Sequence, residues 1–340
     1  MTIVMLTADY PPDVWSGIGV AVHRQTEDLL ALGADVRVIV QRPADGDLVP
    51  PVEAADWIHL HSLPLTDLAL AMRRRLGAKL AYTVHTQPWL ELAGDRRARF
   101  WLDTQTRLLA ACDRVVFLSA AELVAARTLF PRLPPAAVIP NGVAPPPAEI
   151  AGPAVRRDVV FAGRFAASKG VRLLEDCIRR VRRTSDLRFV IAGGHGDAEG
   201  TAAVRRLSDC CEVTGWLSRQ ELDQRFMHAR LVMVPSRYEP FGLVALEAMR
   251  VGTPVLAANV GGLRECVREG SGGVLLDSFD PRQWAAAIER ILADDIAWTR
   301  LHRQGPLFVG RHYRSADFAA RLLDEVYGVA AVTVRSSNRH

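Results

Sequence analysis

Two glutamates separated by seven residues are the first feature of this chain that could do chemistry. Glu239 and Glu247 flank PFGLVAL within RYEPFGLVALEAMRVGTPV, residues 237–255. Glu239 precedes a Pro-Phe-Gly turn, and a helical pattern opened by Gly242 carries Glu247 more than one turn further on. The first turn of a helix has spare N–H donors and a dipole that favours an anion. The pattern therefore indicates an anion site with a carboxylate on either side.

Two basic residues occur together upstream of the glutamates. The strand-like run VVFAG leads into GRFAASKG, which carries Arg164 and Lys169 on one connection. Of the 42 basic residues only Lys79 and Lys169 are lysines, so a lysine in a motif is less easily a chance occurrence. An arginine fork and a mobile ammonium together suit a diphosphate. The alternative is that both are ordinary solvated surface charges.

The glutamates cannot face a diphosphate, because like charges repel. An ionised carboxylate accepts hydrogen bonds, and the neutral donor pairs of a sugar nucleotide are its hydroxyls. Glu239 is therefore predicted to hold a transferred sugar and Glu247 a ribose. The alternative for either glutamate alone is a surface carboxylate paired with an arginine.

Composition limits the classes of protein that fit. A chain of 340 residues with 49% hydrophobic and 24% charged residues is expected to form two globular domains. Its apolar runs are too short to span a bilayer, and the first residues do not resemble a signal peptide, so a cytoplasmic protein is expected. A net charge of +4 without a basic stripe argues against nucleic-acid binding. Five cysteines without CxxC spacing are expected to be reduced thiols.

Short apolar runs alternate with helical patterns along the chain, which predicts parallel sheets covered by helices. The predicted strands form two series, broken by the Pro-rich stretch PNGVAPPPAEIAGP. The first series is TIVMLTA, DVRVIV, WIHLHS, LAYTVHT, RVVFLSA and AAVIPNG, and the second is DVVFAGR, LRFVIAGG, EVTGW, RLVMVPS, TPVLAA and GGVLLD. The fold class is therefore α/β, with a final helical pattern, SADFAARLLDEVYG, and a polar tail at 331–340 that is expected to be disordered.

The glycine loop after the first predicted strand, PPDVWSGIG, contains Gly17 and Gly19. It lacks the G-x-G-x-x-G spacing of a dinucleotide site, which argues against a dehydrogenase. Close approach to phosphate and an ordinary tight turn both remain open for this loop.

Taken together, E-P-F-G-L-x-x-x-E and the upstream G-R-x-x-x-x-K-G resemble the retaining GT-B glycosyltransferases of the GT4 family, also called glycosyl transferases group 1. The glycine loop, HLHS, TVHT, VIPNGV and GTPVLAANVGGLREC follow in the family's order. The resemblance implies GT-B architecture, with two Rossmann-like domains facing a cleft. It assigns 1–145 to the acceptor domain, 146–312 to the nucleotide-sugar domain and 313–330 to a helix packing back on the first domain.

The resemblance also implies roles for individual residues. Arg164 and Lys169 would neutralise the donor diphosphate, Glu247 would hold the ribose, and His85 would approach the sugar near the reacting carbon. The remaining donor-binding residues would be Gly17, Gly19, Glu239, Phe241, Gly242 and Leu243. The catalytic set would be His85, Arg164, Lys169 and Glu239. The nucleotide sugar is a substrate, so no cofactor is expected, and without an Asp-x-Asp motif no metal is required.

The resemblance has departures. Ser16-Gly17 stands where the family often has two glycines, and Ala144 stands where an aspartate is common. His59 and His61 lie on a buried-looking strand and are predicted to pack in the core.

The favoured activity is that of a retaining, metal-independent hexosyltransferase, and the favoured mechanism is attack from the same face as the leaving group. Its predicted acceptor is small and polar, such as a natural-product intermediate, because Arg96, Arg97 and Arg99 of segment 94–113 cluster at the start of the segment instead of following its whole length. UDP, GDP, ADP and TDP sugars all fit the donor motifs. The alternatives are a nucleotide-sugar epimerase or hydrolase, a non-catalytic sensor, and a membrane-peripheral transferase with a lipid-linked acceptor.

Overall fold

The computed structural model describes residues 1–12, 14, 16–42, 51–92, 94–152, 156 and 158–329. The chain divides into two compact units. The first comprises Met1–Gly142 with Ser315–His340, and the second comprises Val143–Arg314. The chain therefore passes from one unit to the other twice. The predicted tail at 331–340 lies outside the described residues.

The first unit contains a six-stranded parallel sheet of order β2-β1-β3-β4-β5-β6. Its strands are Thr2–Thr7 (β1), Asp35–Val40 (β2), Trp57–Leu60 (β3), Lys79–Val84 (β4), Arg114–Phe117 (β5) and Ala136–Val138 (β6). The helices between them are Gly17–Ala31 (α1), Thr66–Leu76 (α2), Pro88–Glu91 (α3), Arg97–Ala111 (α4) and Ala120–Leu129 (α5), with a 3₁₀ turn at Leu63–Leu65.

The second unit repeats this plan with the order β12-β11-β10-β7-β8-β9, again parallel. Its strands are Asp158–Arg164 (β7), Arg188–Gly194 (β8), Glu212–Gly215 (β9), Ala229–Val234 (β10), Val255–Ala258 (β11) and Gly273–Leu276 (β12). Its helices are Val171–Val181 (α6), Ala198–Arg205 (α7), Arg219–His228 (α8), Leu243–Arg250 (α9), Leu263–Cys266 (α10), Pro281–Ala293 (α11) and Asp295–His312 (α12), and Ala167–Lys169 is a 3₁₀ turn.

The predicted α/β class and its two Rossmann-like halves are confirmed. Strand β1 shows why the apolar runs form parallel sheets, because successive side chains enter different cores. Val4 and Leu6 belong to one hydrophobic cluster, whereas Ile3 and Met5 belong to another. A strand buried on both faces reads as a continuous apolar run, as parallel sheets covered by helices require.

The C-terminal segment belongs to the first unit. It contains Ser315–Arg321 (α13) and a π-helical turn at Leu322–Val326. Leu322 and Val326 join the cluster of Ile3 and Met5, and the Tyr327 ring meets Trp57 edge-on at 5.6 Å between centroids. The end of the chain therefore completes the core on one face of the first sheet.

Within the described part of the chain, no helix combines the length and apolarity needed to cross a membrane.

Candidate functional site

The loops that follow the neighbouring strands β7 and β10 are hydrogen-bonded to each other. The carbonyl of Ser168 accepts from the backbone N–H of Arg237 at 2.8 Å and from that of Tyr238 at 3.3 Å. Gly170 has a φ of 75°, and a Cβ there would lie 1.9 Å from the carbonyl oxygen of Pro235. Only glycine fits such a contact. The basic loop and the first glutamate's loop are thereby fixed side by side.

Lys169 and Glu239 meet where these loops join. The Lys169 ammonium lies 2.8 Å from Glu239 Oε2, and the Ser236 hydroxyl donates to the same oxygen at 3.0 Å. The side chains of Lys169 and Glu239 are 18% and 14% exposed. The sequence predicted that Glu239 faces away from the diphosphate and holds the sugar, and that role stays a prediction. It did not predict the contact with Lys169, because it considered the repulsion between carboxylate and phosphate and not the attraction between carboxylate and ammonium.

Arg164 is the last residue of β7 and is partly buried. Ala166 donates its backbone N–H to the carbonyl of Arg164 at 2.9 Å, which turns the chain into the 3₁₀ segment that ends at Lys169. Because β7 and β10 are parallel neighbours, the residues after them lie at the same carboxyl edge of the sheet. The structure thus places Arg164, Lys169 and Glu239 at one edge.

Gly242 caps α9 with a φ of 108°, and Leu243 is the helix's first residue. Phe241, just before the cap, is 4% exposed, and its carbonyl accepts from the buried Cys266 thiol at 3.1 Å. Burial raises the pKa of that thiol, so it stays protonated and able to donate. The Cys266 thiol therefore anchors the turn before α9. The start of α9 lies at the same edge of the sheet as Lys169.

Glu247 lies in α9 and is only 4% exposed. Its carboxylate accepts a hydrogen bond from the Arg219 guanidinium of α8. Arg219 also lies 3.5 Å from Asp223, and Asp223 in turn accepts from Arg250 at 2.5 Å. The pairing with an arginine that the sequence left open is therefore present at Glu247, within a partly buried cluster of four charged side chains.

One aromatic pair near this edge was not predicted from the sequence. His195 follows β8, the neighbour of β7, and Trp216 follows β9, the neighbour of β8. Their rings meet edge-on at 5.7 Å. His195 has a φ of 47°, unusual for a residue with a side chain, and Trp216 is 38% exposed. The segments IAGGHG and TGW could have predicted this pair. His195 and Trp216 directly follow the ends of two strands, at the edge where ligands bind in such sheets.

In the first unit, the glycine loop leads into α1. Ser16 caps the helix by accepting from Ile18 N–H at 3.1 Å, and it also donates to Asp9. A Cβ at Gly19 would lie 2.6 Å from Asp9 Oδ1, whereas Gly17 is exposed. Packing against Asp9 thus accounts for Gly19. A donor contact by Gly17 and Gly19 stays a prediction.

His85 follows β4 in the same unit and is 9% exposed. Its Nε2 lies 3.0 Å from His61 Nδ1, and the His61 ring stacks on His59 at 4.3 Å. Both neighbours are buried, as the sequence indicated, with 0% exposure for His59 and 1% for His61. Burial lowers the pKa of His85 to about 3, and burial first, then His85, lowers that of His59 to about 3. All three rings are uncharged at neutral pH, since the pKa of His61 is lowered as well.

The described residues include no group of three or more His, Cys, Asp or Glu side chains that could hold a metal ion.

The sequence-predicted site residues fall into two sets. Gly17, Gly19 and His85 belong to the first unit, and the remaining predicted residues belong to the second. Their assigned roles stay predictions.

Comparison with known proteins identifies the family of this chain. Residues 156–294 match the family description "Glycosyl transferases group 1", and residues 49–145 match "Glycosyltransferase Family 4". The chain belongs to the GT4-type glycosyltransferases. It is 32% identical over 268 residues to a D-inositol 3-phosphate glycosyltransferase of Thermobispora bispora, covering 70% of this chain and 63% of that protein.

Two further likenesses support the assignment. The GT4-type chain is 36% identical over 140 residues to an alpha-D-kanosaminyltransferase of Streptomyces kanamyceticus, covering 40% of this chain and 36% of that one. It therefore spans less than two thirds of either curated relative. The solved structure of HepE from Anabaena in complex with UDP-glucose superposes with a TM-score of 0.78 at 16% identity, covering 97% and 100% of the two chains. That likeness shows the shared GT-B fold.

The uncharged histidines predict a pH-dependent stability. Their native pKa values lie below the unfolded value of about 6.5, so below that pH the unfolded chain binds protons that the native protein excludes. The free energy of unfolding should fall as pH drops from about 6.5 towards 4, by up to about 1.4 kcal/mol per pH unit for each histidine. Urea unfolding at pH 7.5, 6 and 5 measures this slope. His59→Gln should make it shallower, and an unchanged slope in that variant would contradict the assignment.

Proposed function

We propose that this glycosyltransferase moves a hexose from a nucleotide-sugar donor to a hydroxyl of a small polar acceptor, with retention of the anomeric configuration. The observation that carries the proposal is the junction of Lys169 with Glu239 at the start of α9, at the same sheet edge as Arg164. A cation cluster beside a helix start suits a diphosphate, and a carboxylate touching it suits the hydroxyls of the attached sugar.

The choice of donor is supported by the relatives. Both curated relatives are named as glycosyltransferases, and HepE was solved with UDP-glucose. A nucleotide sugar presents base, ribose, diphosphate and sugar in sequence, and the strand order puts the loop that carries Trp216 on the far side of Arg164 from Glu239. The exposed Trp216 beside His195 would stack on the base, since aromatic faces bind any nucleobase by stacking.

Lys169 can serve the diphosphate and Glu239 together. An ammonium has three N–H donors, and the contact with Glu239 uses one of them. The other two remain for phosphate oxygens, so the lysine would bridge the diphosphate and the carboxylate that orients the sugar. Donor binding and sugar positioning are then coupled through one side chain.

Glu247 would take the ribose hydroxyls through the oxygen that Arg219 does not hold. Arg219 compensates the charge of this buried carboxylate, which would otherwise be costly to bury. The pairing with Arg219 is thus compatible with the ribose role, because a carboxylate has about four acceptor positions. This role remains part of the proposal.

Retention of the anomeric configuration is proposed because His85 is poorly suited to act as a nucleophile. His85 is uncharged and held by His61, which suits an orienting group better than a nucleophile. In same-face attack the sugar–phosphate bond breaks as the acceptor oxygen bonds to the sugar, and the departing phosphate oxygen takes the proton of the acceptor hydroxyl. The protein then needs to stabilise the negative charge on the leaving diphosphate. Arg164, Lys169 and the N–H groups at the start of α9 would supply that stabilisation without a metal.

A donor screen tests the proposal. Thermal shifts with UDP, GDP, ADP and TDP sugars should identify one nucleotide, because a ligand at 100 times its Kd adds about 2.7 kcal/mol of stability. With that donor and an acceptor panel, NMR should show a product of unchanged anomeric configuration, and EDTA should leave the rate intact. Donor consumed without any acceptor would instead favour a hydrolase or epimerase, and an inverted product would exclude retention.

Lys169→Ala should lower kcat/KM for the donor by about 100-fold or more, because it removes a group that stabilises charge on the leaving diphosphate. Lys169→Arg should restore only part of the activity, since a planar fork is not a compact ammonium. The matched control is Lys79→Ala, which removes the other lysine, an exposed residue over the Trp57 ring. Wild-type turnover in Lys169→Ala would refute the diphosphate role.

The polar acceptor is supported by the surface of α4. Its arginines are paired with acidic neighbours: Arg97 lies 2.7 Å from Asp95, and Arg107 lies 2.7 Å from Asp67. Paired arginines contribute little net charge for attraction to anionic lipid. Phe100 is exposed on the same helix, at 62%, but a single ring is a small anchor.

Co-sedimentation with anionic liposomes tests this choice of acceptor. We expect little binding at physiological salt, and no change on Arg96→Glu with Arg97→Glu. Strong, salt-sensitive binding that the double substitution abolishes would favour a lipid-linked acceptor.

A further inference from the structure

An arginine near Glu239 is held over an aromatic ring. The Arg237 guanidinium lies over the Phe279 ring, 4.9 Å from its centroid, within the ~6 Å range of a cation–π contact. Both residues are exposed, Phe279 at 37%. Arg237 belongs to the loop after β10, and Phe279 belongs to the loop after β12. The pair therefore bridges two loops at the carboxyl edge of the second unit's sheet.

Both partners of this contact are anchored through the backbone around them. The N–H of Arg237 donates to the Ser168 carbonyl at 2.8 Å, so its backbone is part of the junction between the loops after β7 and β10. On the other loop, the buried Trp284 donates its indole N–H at 2.7 Å to the carbonyl of Ser278, the residue before Phe279. The arginine and its aromatic support thus start from fixed positions.

The Arg237 guanidinium has no carboxylate partner in the described part of the chain. None of the described residues forms a hydrogen bond or an ion pair with this side chain, and that includes the exposed Asp277 on the loop of Phe279. Stacking uses a face of the guanidinium, whereas its five N–H donors lie in its plane. Those donors keep the fork geometry that matches a carboxylate or a phosphate.

The order of the strands gives this arginine a place along the edge. The order β12-β11-β10-β7 leads from Phe279, through the loop that carries Arg237 and Glu239, to Arg164 and Lys169. The guanidinium over Phe279 therefore lies on the β12 side of its loop, away from Arg164. A sugar whose diphosphate is bound at Arg164 and Lys169 would extend past Glu239 towards it.

We propose that Arg237, supported by Phe279, binds a carboxylate on the transferred sugar and selects a hexuronate, a hexose oxidised to a carboxylate at C6, over a neutral hexose. The inference rests on the proposed function, which places the diphosphate at Lys169 and the sugar at Glu239, and it names the chemical class of that sugar. The two carboxylate oxygens accept from two parallel N–H groups of the guanidinium. The hydroxymethyl group of a neutral hexose offers a single uncharged oxygen at this position.

Donor pairs that differ only at C6 test this proposal. UDP-, GDP-, ADP- and TDP-glucose are each compared with the corresponding glucuronate, and the nucleoside diphosphate alone is the third probe. For the nucleotide that binds, calorimetric titration of the full chain should give a Kd about 10-fold or more lower for the glucuronate, the effect of one charge-assisted pair. Equal or weaker binding of the glucuronate would overturn the proposal.

Variants of Arg237 test whether this side chain causes the preference. Arg237→Gln should abolish it and leave the Kd of the glucose form and of the nucleoside diphosphate unchanged. Arg237→Lys should recover only part of it, because an ammonium does not offer two parallel donors. Weaker binding of all three probes by the same factor in Arg237→Gln would mean that the arginine serves the diphosphate, and the proposal would be wrong.

Arg264→Gln is the matched control. Arg264 is an exposed arginine of α10, in the connection after β11 between the two loops, and its guanidinium donates to Asn259. Its removal takes the same charge from the same part of the sheet edge and should leave the glucuronate preference in place. An equal loss of preference in Arg264→Gln would show a general positive field instead of a site at Arg237, which contradicts the proposal.

Variants of Phe279 test its role as a positioning residue. Phe279→Leu removes the ring beneath the guanidinium, so the glucuronate preference should fall by about 2- to 5-fold, the effect of one exposed cation–π contact. Phe279→Tyr retains an aromatic face and should retain the preference. An unchanged preference in Phe279→Leu would contradict the support by the ring.

The readouts separate this inference from the proposed function. If the glucuronate is preferred in binding but no acceptor receives a sugar, the inference stands and the transferase proposal fails. If sugar is transferred without any preference for the glucuronate, the proposed function stands and the inference fails. If Arg237→Gln raises only KM for an acceptor that carries a phosphate or carboxylate, the anion belongs to the acceptor and the assignment to the donor sugar is overturned. Absence of binding by every nucleotide sugar would overturn both.

Discussion

The second unit depends on a main-chain contact more than on any side chain. The carbonyl of Ser168 accepts from the backbone N–H groups of both Arg237 and Tyr238, which ties the loop after β7 to the loop after β10. Without that junction the two loops would be independent surface connections. Because of it, an ammonium and a carboxylate that are 70 residues apart in sequence stand 2.8 Å from each other.

Close backbone packing makes that junction possible. Gly170 lies against the Pro235 carbonyl with no space for a Cβ, and its left-handed conformation ends the 3₁₀ turn that presents Lys169. Behind the glutamate's loop, the N–H of Gly262 donates to the carbonyl of Glu239 at 2.9 Å. Loops after three neighbouring strands, β7, β10 and β11, are therefore fastened to one another by main-chain groups. A rigid edge of this kind suits a polyanionic ligand, because positioned donors need little rearrangement on binding.

The first unit is distinguished by three buried histidines. It keeps three imidazoles uncharged by burying them in a core that the C-terminal segment completes, with Tyr327 bonded to His59. This arrangement is expected to lower the free energy of unfolding in acid, because the unfolded chain can bind protons that the buried rings exclude. Each ring also has defined partners within the unit.

The amino-acid sequence alone determined the α/β class, the two parallel sheets and the family, because apolar runs, glycine turns and the E-P-F-G-L-x-x-x-E spacing are local patterns. It also identified the loops that carry Arg164, Lys169 and Glu239, since residues at strand ends can be read in order.

Only the tertiary structure decided which of these side chains touch. Lys169 meets Glu239, Glu247 is held by Arg219, and His85 is held by His61. Trp216 and His195 come together for the same reason. Each of these pairs joins loops or helices whose proximity depends on strand order in the sheet, and strand order is set by packing over the whole unit, not by any local stretch of sequence.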